Sequence, residues 1–130
     1  MAASKNSFVY FDDAEVTRTS KRYKVILKQE NVTMYFKQEI VDSIKNMTDE
    51  DANLVAILLA HIEFVRRNTN KEDIGVFVRK LENEDIVEGL EVLLRYKSLE
   101  ELIEIVQTLK WHQIVEIMTA ESPIEELRNL

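Results

Sequence analysis

The stretch TDEDANLVAILLAHIEFVRRN, from Thr48 to Asn68, decides the fold. Leu54 to Ala60 is an unbroken apolar run. Leu54, Leu58, Ile62 and Val65 form one row at helical spacing, and Ala52, Ala56 and Ala60 form a second row that ends at Phe64. A helix apolar nearly all round is one that other elements pack against. Thr48 is a good N-cap, and Asp51 three positions on makes a capping box with Asp in place of Glu. Arg66 and Arg67 fall in the last turn, where positive charge suits the helix dipole. The spacing therefore predicts a central helix over 49–67.

Outward from this helix, the N-terminal side has the period of strands. Tyr23, Val25 and Leu27 alternate with Arg22, Lys24, Ile26 and Lys28. After the polar break Gln29-Glu30-Asn31, Val32, Met34 and Phe36 alternate with Thr33, Tyr35 and Lys37. Two alternating runs around a reversal predict a β-hairpin. Phe8 to Phe11 is a candidate third strand, and Asp12-Asp13-Ala14-Glu15 reads as a turn. On the C-terminal side the period is helical. Residues 38–46 suggest a short helix. Asn70 precedes a helix with Ile74, Phe77, Val78 and Leu81 inward, and Asn83 precedes one with Ile86, Leu90, Leu93 and Leu94 inward. Ser98 and Glu101 form a capping box for 99–109, Trp111 to Ala120 carries Ile114, Val115, Ile117 and Met118, and Ser122-Pro123 starts a last helix. DIVEGLEVLL, LEELIEIVQTL and WHQIVEIM look alike. A compact orthogonal bundle is expected, with a helical solenoid as the alternative. The fold class is α+β, mostly α. An N-terminal β-hairpin or three-stranded meander packs on a compact bundle of about six short helices around a central buried helix, 49–67. The 130 residues are read as a single domain with a β-rich basic part, 1–37, and an acidic helical body, 38–130.

Composition narrows the chemistry. Apolar residues make up 45% of the chain, which is not a disordered composition. With 2 Gly, glycine-rich phosphate loops are not available, and no Walker or dinucleotide pattern occurs. With 0 Cys, disulfides and thiolate metal sites are excluded. No G-x-S-x-G elbow occurs. His61 shares a row with Leu54 and Ile57 and reads as a core or boundary residue. His112 reads as packing at a helix start. Asp49-Glu50-Asp51 and Asp12-Asp13 could chelate a hard cation, but a helix N-terminus and a turn explain them as well. We expect no enzyme, no catalytic residue, no cofactor and no metal. MAASKNSF has no signal-peptide core, and the seven residues 54–60 fall far short of the ~20 that cross a bilayer. A cytoplasmic protein is expected, in a host cell if the source is viral. The composition is similar in general style to accessory proteins of bacteria and their phages.

The net charge of −7 is unevenly spread. Residues 1–38 carry seven Lys/Arg against four Asp/Glu, and residues 39–130 carry ten against twenty. Two binding surfaces follow. The acidic one comprises Glu84, Glu88, Glu91 and Glu101, with Tyr96 and Trp111 as aromatic anchors if exposed. It suits another protein with a basic surface, and an inhibitor, adaptor or assembly factor is the expected function. The basic one is the hairpin: Arg18, Lys21, Arg22, Lys24 and Lys28. These could contact the phosphates of a nucleic acid, or an acidic partner, with Tyr35 stacking on a base. Lysines on an exposed strand also block edge-to-edge aggregation. A nucleic-acid-binding regulator is the second reading, and a self-assembling structural subunit is the third.

Overall fold

A computed structural model describes residues 7–9, 14–44, 48–68 and 81–130. The fold is α+β and mostly α. The chain divides into two compact units, Met1–Ala60 and His61–Leu130.

The first unit holds an antiparallel sheet. Strands β2 (Glu15–Arg18), β3 (Arg22–Leu27) and β4 (Val32–Lys37) form a meander, and the three-residue β1 (Ser7–Val9) adds to the edge of β2. β1 begins one residue before the expected run, and Tyr10 and Phe11 lie outside the described residues. Glu15 opens a strand where the sequence reads as a turn. The EVTR segment is too short to show alternation, and only Val16 marks its inner face. In the register Val16 stands opposite Val25, and Val25 opposite Met34. Tyr23, Val25, Leu27 and Met34 are buried as expected, whereas Val32 and Phe36 are half-buried. The hairpin closes through Lys28–Asn31, where the Asn31 N–H donates to the Lys28 carbonyl over 3.2 Å. Asn31 has φ 55°, a left-handed conformation that asparagine tolerates better than most side chains.

Helix α1 (Gln38–Val41) is shorter than the expected 38–46, and residues 45–47 lie outside the described ones. Helix α2 (Asp49–Arg67) has the expected bounds. The Asp51 N–H donates to Thr48 Oγ1 over 3.1 Å, and the Thr48 N–H donates to Asp51 over 3.4 Å. Every residue from Ala52 to Ile62 is at most 6% exposed, including Asn53 and His61. Those eleven residues make three full turns, so the helix is covered all round.

The second unit holds α3 (Asn83–Leu93), α4 (Leu99–Val106), α5 (Trp111–Thr119) and α6 (Pro123–Arg128). The expected helix after Asn70 lies outside the described residues, save Leu81, which is non-helical. α3 starts one residue earlier than expected, with Glu82 as the N-cap, because Asp85 accepts from its N–H over 3.1 Å. Ser98 and Glu101 form the expected reciprocal box at 3.0 and 3.1 Å. α4 ends at Val106 rather than Leu109, and Gln113 accepts from the Lys110 N–H over 2.9 Å to start α5. The apolar faces are buried: Ile86, Leu90 and Leu93 on α3; Leu102, Ile103 and Val106 on α4; Ile114, Val115, Ile117 and Met118 on α5. α3, α5 and α6 touch one another pairwise. These three helices form one mutually packed cluster. α3 and α5 approach closely at Gly89: a Cβ there would stand 3.4 Å from the Met118 Cα and 2.5 Å from its mobile Sδ.

Candidate functional site

Two charged surfaces were expected, and each is built by local folding. Along α3, Glu84, Glu88 and Glu91 recur at helical spacing, opposite the buried Ile86, Leu90 and Leu93. Glu84 and Glu88 are exposed and Glu91 half-exposed. None of the ion pairs among the described residues uses any of the three. Tyr96 follows the helix end and is 58% exposed. The row is therefore a line of unpaired anions with an aromatic ring beyond its C-terminal end.

Two expected members drop out. Trp111 is 6% exposed: it opens α5 with its ring in the core, beside buried Ile114 and Val115, and is no surface anchor. Glu101 is exposed, but its carboxylate is engaged by the cap. Hydrogen bonds from the Ser98 backbone and hydroxyl hold it below the usual carboxylate range. Glu100 and Glu104 on α4 are exposed as well.

The basic residues separate into two groups. Arg18 lies on the inner face of the sheet, opposite Tyr23, with its guanidinium carbon 4.8 Å from the ring centroid. It pairs with Asp49 at 3.5 Å. Burial pushes the Tyr23 phenol above its ordinary value, Arg18 opposes this, and the bond to Asp42 at 3.3 Å adds to the rise. Lys28 pairs with Glu15 at 3.2 Å. Neither Arg18 nor Lys28 is at liberty to take a ligand without losing a partner.

Lys21, Arg22 and Lys24 remain, and the register adds Lys37, a residue that sequence reasoning passed over. Lys37 stands directly opposite Arg22, and Lys24 opposite Tyr35. Tyr35 is 56% exposed. Lys21, Arg22 and Lys37, with Ser20, Gln38 and Glu39, line an open hollow of about 380 Å³. The signal for Lys37 was present in the alternation, since the pairing of 22 with 37 follows once the hairpin turn is placed.

Other candidates have structural occupations. Asp51 caps α2 and Asp49 faces Arg18. His61 is buried and His112 exposed. Among the described residues, no group of three or more His, Cys, Asp or Glu is placed to hold a metal ion, and no helix is long and apolar enough to cross a membrane. Comparison with protein-family models, curated proteins and solved structures found no match to the chain.

Proposed function

We propose that the chain is a non-catalytic protein-binding module, an inhibitor, adaptor or assembly factor that docks on the basic surface of a larger protein. The observation that carries this reading is the unpaired row Glu84, Glu88 and Glu91. Exposed like charges four apart on a helix destabilise it slightly. A row of them facing away from the core adds nothing to the packing. It steers and registers a cationic partner. Tyr96, beyond the C-terminal end of the row, supplies an exposed amphipathic ring, the side-chain type enriched at the energetic centres of interfaces.

The test is affinity capture from the native cell, quantified by mass spectrometry, with wild type beside Glu88→Lys/Glu91→Lys. The expected result is a basic protein retained by wild type, lost on charge reversal, and released as salt is raised. Both positions lie off the core face, so thermal stability is unchanged. Equal retention of every protein by the two baits contradicts the reading.

A further inference from the structure

We infer a second binding surface, independent of the acidic row: the outer face of the β3–β4 hairpin takes single-stranded nucleic acid, with phosphates at Lys21, Arg22 and Lys37 and a base on Tyr35. The argument starts from the register. Arg22 and Lys37 are a directly opposed pair of like charges, an arrangement unfavourable in a sheet unless something neutralises it. Glu39 lines the same hollow, and one carboxylate is short of three cations.

The frame around these cations is fixed before any ligand arrives. The Thr19 N–H donates to the Arg22 carbonyl over 2.8 Å, and the Thr19 hydroxyl donates to the same oxygen over 3.1 Å. The Arg22 N–H donates to Thr19 Oγ1 over 3.2 Å. From the far side, the Gln38 N–H donates to the Lys21 carbonyl over 3.0 Å, and its side-chain amide to the Thr19 carbonyl over 2.7 Å. Three hydrogen bonds within the 19–22 turn and two from Gln38, the residue after β4, thus fix the rim from which the cations extend. Binding there loses little further backbone freedom.

The neighbouring pair selects the ligand. Lys24 and Tyr35 sit two residues along from Arg22 and Lys37 on the same face, about 7 Å away at the rise of a strand. A phosphate held in the hollow therefore has an exposed ring within one nucleotide's reach. Stacking needs a base with an open face, which a duplex does not offer. A flat sheet with an aromatic ring and a basic border is a recurrent single-strand platform.

The experiment is fluorescence anisotropy of the full chain with a labelled oligothymidylate, beside a duplex of equal length and inorganic pyrophosphate as competitor. Wild type binds the single strand saturably. With about three phosphates neutralised, affinity falls about eighteen-fold from about 50 to about 200 mM salt. Lys37→Glu places an anion opposite Arg22, so it raises the thermal midpoint while weakening binding at least tenfold. If that variant misfolds, Lys21→Gln/Arg22→Gln reads the same loss. Tyr35→Ala weakens the oligonucleotide about tenfold and leaves pyrophosphate competition unchanged. No saturable binding of the oligonucleotide at low salt, a duplex bound as tightly, or full binding by Lys37→Glu overturns the assignment.

Discussion

Glu63 shows how one side chain near a helix end is held. Burial alone would raise its carboxyl pKa, but hydrogen bonds and charge from Arg66 and Arg67 outweigh burial and hold it below the ordinary range. Arg66 Nε and Arg67 Nε each donate over 2.8 Å, to different oxygens. A carboxylate whose folded pKa is depressed adds stability above its unfolded value, about 4.3, and that stability is lost as pH falls through the folded value. Glu63→Gln therefore flattens the acid limb of stability measured by urea unfolding between about pH 5 and 3. Its effect at pH 7 is modest, since the arginines are half-exposed and solvent screens them. Ser98 is the complementary case at a helix start. Its hydroxyl accepts the Glu101 N–H, so Ser98→Ala costs about 1 kcal/mol, read as a lower denaturation midpoint. The Ser98 role was legible as S-x-x-E before an apolar run; for Glu63 only the arginines of the last turn were, and their pairing with its carboxylate was not. The Glu82 cap was not, because Asn83 is the better N-cap by type and only Asp85 reaching back to the Glu82 N–H decides between them.

At the scale of elements, α2 was legible to its bounds because cap, apolar circumference and terminal arginines agree. The hairpin was legible for the same reason: alternation on both sides of a polar break fixes register as well as strands. β2 was not, since four residues with one inward valine carry no period and the preceding acids look like a turn. The burial of Trp111 was equally hidden, because a ring that opens a helix faces inward or outward according to what packs there. Two substitutions test the packing. Leu58, fully buried on α2, loses about 2–5 kcal/mol on Leu58→Ala, partly because the cavity does not collapse. Gly89→Leu pushes α3 from α5 against Met118 and costs about 1–3 kcal/mol, although leucine is the better helix former. If it instead stabilises the protein in guanidinium unfolding, the two helices are not held as close as described.

At the scale of the molecule, the charge asymmetry read from the chain resolves into two surfaces made by different periods. The acidic row follows the 3.6-residue repeat of a helix, and the basic platform follows the two-residue alternation of a sheet. Four of the six candidate residues of the acidic surface, Glu84, Glu88, Glu91 and Tyr96, stay on the surface, while Glu101 is spent on a cap and Trp111 on the core. The basic site exchanges Arg18 and Lys28, held by Asp49 and Glu15, for Lys37. Charge type is visible in a sequence, but which charges are already neutralised depends on contacts between distant residues. Residues 52–62 of α2 are buried on every side of the helix. Hydrogen–deuterium exchange of the whole chain, followed by mass spectrometry, tests that most directly. Amides of residues 52–62 should be the last to exchange, slower than those of the hairpin and of α3 to α6. Exchange of 52–62 within minutes, while β3 and β4 stay protected, would contradict it.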